Sequence, residues 1–218
     1  MKKTIFIMIL TAVTISMSAQ RKYWDSSRPD HRFDFSLQAG LNFNKQYTME
    51  DEGADHAFRT GFHAGVGVDV NIIRSFSVTT GVYYFQKGWK DSYSDYRGYY
   101  DTKDNSAYVQ LPLLASYRVA LSDAVKFQID LGPYFAFGVS GKTKTDYNFG
   151  EPVHEEYDSF DEYEGMKKFD CGIHLGASVN YSHLLAGVFY ERGLKNISRI
   201  QGEKFQNGTV GVSLGYKF

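Results

Sequence analysis

In "FDFSLQAGLNF", Phe33, Phe35, Leu37, Ala39, Leu41 and Phe43 take every second place, and Asp34, Ser36, Gln38, Gly40 and Asn42 fill the places between. Successive side chains of a strand point to opposite faces, so this stretch predicts a strand with one apolar and one polar face. The same alternation returns over residues 58–70, 76–87, 108–119, 125–140, 169–181, 184–191 and 210–218. Leu114 is the one apolar residue out of phase in the fourth of these. Residues 171–190 hold no Asp, Glu, Lys or Arg, which raises a membrane-spanning helix as an alternative. Three Gly, two His and an Asn in that window, with a change of parity near Ser182, favour two strands and a turn.

Eight predicted strands are joined by gaps that alternate long and short, the short ones near 71–75, 120–124 and 182–183. An even strand count with short turns at one end and long loops at the other suits an eight-stranded antiparallel transmembrane up-and-down β-barrel, an all-β fold. A secreted β-sandwich or a soluble lipocalin-like barrel alternates too, but with its apolar face inward. The polar face discriminates between them, because it is rich in Gly and carries a balanced charge set. Those charges are Asp34, Arg59, Asp69, Lys87, Arg118, Lys126, Asp130, Asp170, Glu191 and Lys217. Small residues and opposite charges suit a crowded lumen, where an unpaired charge is costly. The apolar face carries no charge in any of the eight strands, as lipid contact requires.

Composition supports this reading: aromatics make up 17% of the chain, with 17 Tyr and 17 Phe, and such residues fit pleated, half-buried surfaces. The opening "MKKTIFIMILTAVTISMSAQ" places Lys2 and Lys3 before an apolar run and small residues at Ser16, Ser18 and Ala19, the layout of a cleaved signal peptide over residues 1–19. Residues 20–32 then form a short, disordered periplasmic leader and residues 33–218 the barrel. Removing Lys2 and Lys3 from a chain of formal net charge −1 leaves −3, and nothing in this balance points to nucleic acid. Cys171 is the only cysteine, so no intrachain disulfide is possible.

No motif demands a cofactor or a metal: the six His form no ligand spacing, and "GVGVDV" lacks the third glycine and the helix of a phosphate loop. A barrel enzyme acting on lipid A or phospholipid would use polar-face groups such as His63, His174, Ser140 and Asp170, but these stand in no nucleophile–base motif. The longest connection, residues 142–168, interleaves acidic residues with Tyr147, Phe149, Tyr157, Phe160 and Tyr163. It reads as a solvated extracellular loop, with Tyr157, Phe160, Asp161 and Tyr163 as candidate contacts for a protein partner or for lipopolysaccharide.

The segments "YVQLPLLASYRV", "IDLGPYFAFGVSG", "KKFDCGIHLGASVNY" and "VFYERGLKNI" together resemble the PorT-like small outer-membrane β-barrels, within the wider OmpA/OmpX-like set. The resemblance implies a Gram-negative outer membrane and export by a cleaved signal peptide. It further implies a non-enzymatic barrel whose partners are outer-membrane lipid and lipopolysaccharide. Gln110 and Phe189 depart from the acidic residue and the Arg that family members often carry, so the polar network is expected to differ here. Val210, Val212, Leu214, Tyr216 and Phe218 resemble the recognition signal of the barrel-assembly machinery, which would insert the chain.

Overall fold

The computed structural model describes residues 24–48, 57–96, 98–148, 151–162, 165–200, 202 and 204–218. The expected signal peptide and the first residues of the leader lie outside these. The described residues form ten strands: β1 (Phe33–Thr48), β2 (Arg59–Ile73), β3 (Phe76–Lys87), β4 (Lys90–Asp95), β5 (Gly98–Ala120), β6 (Val125–Asn148), β7 (Pro152–Asp158), β8 (Phe169–Tyr181), β9 (Leu184–Gly193) and β10 (Phe205–Lys217).

Eight of them close a barrel in the order β1-β2-β3-β5-β6-β8-β9-β10, every neighbour antiparallel. The seam runs from Ser36 opposite Lys217 to Thr48 opposite Phe205, so the last strand returns to the first and no edge of the barrel is left open. Residues 171–190 are the β8–β9 hairpin, turning at Ser182 with φ 52°, and not a helix.

Burial is inverted relative to a soluble protein. Phe35, Leu37, Leu41, Phe62, Val66, Leu111, Leu131, Leu175, Val188 and Val212 all point outward and are exposed, while polar residues predominate among those buried inside. Ser36, Asn42, His63, Asp69, Gln110, Ser116, Arg118, Asp170 and Glu191 are all buried within the barrel. An apolar belt around a polar filling is stable only where the outer solvent is hydrocarbon. Leu114, out of phase by hydrophobicity, is in phase by geometry: it faces the lumen, buried beside Ala115 at the wall.

Two of the expected long loops are partly strand. β5 and β6 run for 23 and 24 residues and pair from Ala120–Lys126 to Tyr99–Asn148, far past the apolar belt. β4 flanks β5 and β7 flanks β6 at that far end, giving a four-stranded sheet in the order β4-β5-β6-β7. A bulge separates the sheet from the barrel wall: Ala107 pairs with Ser140 and Tyr108 with Gly138, leaving Val139 as the extra residue. The bulge shifts the parity of β6. Ser140, expected on the polar inner face, is therefore exposed outside, and Gly141, Thr143 and Thr145 take the inner positions.

The leader also differs from expectation. Residues 24–32 lie against the β2–β3 turn and do not hang free: the Arg74 amide donates to the Ser27 carbonyl, Ser75 to Asp25 and Asn71 to Arg32. Trp24 stacks on Tyr117 with ring centroids 6.1 Å apart, and Asn71 Nδ2 donates to the His31 carbonyl at 2.8 Å.

Candidate functional site

The lumen holds three polar layers. At the end bearing the short turns, Arg118 lies 3.5 Å from Asp69 and 3.9 Å from Asp34, and Lys217 reaches Asp69 at 2.5 Å. Arg118 also donates to Asn71 Oδ1 at 2.6 Å and to Gln128 Oε1 at 3.1 Å, so from β5 its fork ties β2 to β6. Asp130 belongs to the same layer, accepting from Gln128 at 2.7 Å and from the Ser116 hydroxyl. Lys126 does not join them; it is exposed and lines a 590 Å³ vestibule with Asp34, Arg118 and the leader.

In the middle layer, Glu191 and Lys87 face each other at 3.4 Å, with side chains 1% and 2% exposed. Gln110 donates to Glu191 at 2.6 Å, and His174 Nδ1 lies 3.0 Å from it. Lys87 is boxed by aromatic faces, its ammonium 4.5 Å from the Tyr134 ring, 5.4 Å from Phe85 and 5.7 Å from Tyr108. His63 and His174 both pack on Phe189, at 5.2 and 5.4 Å. Phe189 fits because Gly211 lies under it: a Cβ there would meet the ring at 2.2 Å. Beneath this layer is a cavity of about 80 Å³, bordered by His63, Gln110, Glu191, Ser178, Tyr83 and Lys217.

The upper layer closes the barrel. Asp170 accepts from Asn207 Nδ2 at 2.9 Å and from the Tyr134 hydroxyl at 3.3 Å. Asp104 gathers three hydroxyls, from Ser159 at 2.5 Å, Ser106 at 2.7 Å and Thr143 at 3.0 Å, while Arg59 donates to its carbonyl. Ser159 belongs to the segment that follows β7. That segment folds back over the mouth, and Phe160 inserts edge-on against Tyr108 at 5.5 Å. Ile197, from the β9–β10 connection, is fully buried, and its carbonyl accepts from the Lys167 amide.

Phe160 was expected to be a surface contact and is instead a stopper, 4% exposed. It seats on Gly138 and Gly141, and a Cβ at Gly138 would come within 2.3 Å of the ring. We expect Gly138→Ala to drive Phe160 out of the mouth. Overpacking of about 1–3 kcal/mol would speed amide hydrogen exchange across residues 158–162 roughly 5- to 150-fold, with the barrel strands unchanged.

Of the remaining expected contacts, Tyr157 is 45% exposed on β7, Asp161 is exposed beyond it, and Tyr163 lies outside the described residues. Val210, Val212, Leu214, Tyr216 and Phe218 all face outward, and the Phe218 amide donates to the Phe35 carbonyl across the seam. The groups considered for catalysis do not converge: Ser140 is outside the wall, Asp170 is held by Tyr134 and Asn207, and His174 is held by Glu191. His63 Nε2 is 2.9 Å from Ser213 Oγ, but its Nδ1 has no hydrogen-bond partner to orient it.

The projecting sheet has two unlike faces. Lys90, Lys103 and Lys144 lie on one face in a cross-strand row with Glu156, and Lys142, Asp101, Asp146 and His154 share it. Charges pair closely there, Lys103–Asp101 at 2.6 Å, Lys144–Glu156 at 2.9 Å and Lys142–Glu156, and His154 Nδ1 lies 2.5 Å from Asp146. Hydrogen bonds from Lys142 and Lys144 hold Glu156 down to about 2. The other face carries a row of Tyr93, Tyr100, Tyr147 and Val153, each directly opposite the next.

The family described as "Outer membrane protein beta-barrel domain" matches residues 18–199. Among curated proteins no relative matches the chain. Solved structures with a similar outline include the attachment invasion locus protein Ail of Yersinia pestis, at 13% identity and TM-score 0.40, covering 86% of this chain and 100% of that one. Neisserial surface protein A gives 15% identity and TM-score 0.42, covering 84% and 97%. OprG of Pseudomonas aeruginosa gives 11% and 0.44, covering 89% and 99%.

Proposed function

Because this chain belongs to the outer membrane protein beta-barrel domain family, we propose that it is a sealed, non-enzymatic barrel that fixes a β-sheet outside the cell as a surface for interaction. The observation that carries the reading is the contrast between the two halves of β5 and β6. Within the barrel they wall a lumen filled by Lys87, Tyr108, Tyr134 and Phe160; beyond it they continue as a paired sheet flanked by β4 and β7. A filled interior is what eight strands allow, since that circumference leaves room for side chains and little else.

The sheet lies at the end bearing the long connections, which in this class of barrel is the extracellular end. The vestibule and the docked leader then face the periplasm. Within the family, the four segments quoted above support a PorT-like assignment, with export by a cleaved signal peptide and insertion by the barrel-assembly machinery through the Val210–Phe218 pattern. Lipid and lipopolysaccharide surround the apolar belt, and the extracellular sheet is the place for a protein partner.

The test is conductance. Purified protein in planar bilayers is expected to give no sustained open level, because Phe160 and Tyr108 are packed together, both buried, at the mouth; stable porin-sized currents would overturn the reading. Unchanged lipid A mass on expression is the matching expectation for a non-enzymatic barrel.

A further inference from the structure

We infer that the tyrosine-bearing face of the projecting sheet docks an extended, lysine- and arginine-rich segment of a protein partner. The inference rests on the reading above, which places that sheet outside the cell.

The face is defined by register. It carries Asp91 and Tyr93 from β4, Tyr100 and Thr102 from β5, Thr145 and Tyr147 from β6, and Val153, Glu155 and Tyr157 from β7. Thr102 and Thr145 are buried at its centre, their hydroxyls 3.0 Å apart, so the rings around them form a platform over a polar floor. Tyr93 is 58% exposed and Tyr100 36%, so both residues meet solvent on this face. Tyr147 donates to Glu155 at 3.3 Å, which fixes an aromatic ring and a carboxylate side by side.

Charge selects the occupant. Every lysine of these four strands, Lys90, Lys103, Lys142 and Lys144, falls on the opposite face, and three of them are paired with Asp101 or Glu156 there. Among the described residues of these four strands, the tyrosine face holds the carboxylates Asp91 and Glu155 and no Lys or Arg. A surface of aromatic faces and carboxylates attracts cations and repels anions, because the ring quadrupole and the carboxylates act in the same sense. An anionic polysaccharide or a phosphate-rich headgroup is therefore disfavoured on this face. An extended segment suits the geometry, since the tyrosine row crosses four strands spaced about 4.8 Å apart, within reach of side chains repeating along a strand.

The test uses the full chain folded in nanodiscs and a fluorescein-labelled decapeptide of alternating Lys and Thr, with a Glu/Thr decapeptide as counterpart. Fluorescence anisotropy should show binding of the lysine peptide only, weakening as salt rises. Tyr100→Ser combined with Tyr147→Ser should weaken it roughly 5- to 30-fold, the loss of two exposed cation–π contacts. Glu155→Gln should weaken it about 2- to 5-fold, and Lys144→Gln, on the other face, should not weaken it. Heat-modifiable migration checks the fold; if the double tyrosine variant fails it, the near-isosteric Glu155→Gln carries the test. Equal binding of the glutamate peptide, unchanged binding by the tyrosine and Glu155 variants, binding of neutral dextran alone, or self-association in its place would each overturn the inference. Intact expressing cells separate the two claims. Nanodisc binding without cell binding leaves the chemistry of the face intact and overturns its placement outside the cell.

Discussion

Glu191→Leu is expected to be the most damaging single change in the lumen. It removes the carboxylate that faces Lys87 and strips Gln110 and His174 of their shared acceptor. Breaking one side of a buried ion pair costs about 3–5 kcal/mol, because the remaining charge keeps its desolvation penalty with no partner. The aromatic box of Phe85, Tyr108 and Tyr134 partly compensates the stranded ammonium, since a desolvated cation–π contact contributes up to ~2 kcal/mol. The loss should therefore fall near the lower end of that range. Urea unfolding in detergent micelles, followed by heat-modifiable migration, measures it. Lys87→Met added to Glu191→Leu should recover most of the loss, whereas equal destabilisation by the single and double changes would mean that the pair is not the source.

The second large effect lies on the outer surface. Leu175 stands midway along β8 and is half exposed, with Leu131 and Tyr190 beside it on the neighbouring strands. Leu175→Arg places a guanidinium in the middle of the belt and should cost about 2–4 kcal/mol in a bilayer, whereas Tyr181→Arg, at the turn end of the same strand, should cost about 0–1 kcal/mol. Folding titrations into lipid vesicles give both values. Equal costs at the two positions would argue against hydrocarbon around β8.

The barrel strands were legible because lipid enforces the pattern from outside. Leu37, Leu41, Val66, Leu131, Leu175 and Val212 cannot be polar without cost, so period two survives along every spanning segment. Beyond the belt that constraint ends. Residues 98–105 and 141–148 remain strands, but their outer face meets water and accepts Lys103, Asp101 and Lys144, so apolar alternation fades where β-structure continues. A signal was still present in Thr102, Asp104 and Ser106, small polar residues in phase with Tyr108 and Gln110. Ser140 was misplaced because a bulge is one inserted residue with no compositional mark of its own. Phe160 was misread because a stopper and an exposed anchor share the same residue type, and only Gly138 and Gly141 beneath it distinguish them. Apart from Lys126, which the structure leaves exposed at the vestibule, the lumen charges were legible as a set but not as partners. Glu191 with Lys87 and Asp69 with both Arg118 and Lys217 depend on barrel closure, which brings together residues more than a hundred positions apart in Lys87–Glu191 and Asp69–Lys217.

The apolar face of each barrel strand meets lipid, and the polar face fills a closed lumen. A nitroxide scan along β8 tests this arrangement most directly, with single cysteines at positions 172–179 in a Cys171→Ser background, reconstituted in bilayers. Oxygen accessibility should rise and fall with period two, with maxima at Ile173, Leu175, Ala177 and Val179 and minima at Gly172, His174, Gly176 and Ser178. A period near 3.6, or maxima at His174 and Ser178, would contradict the account.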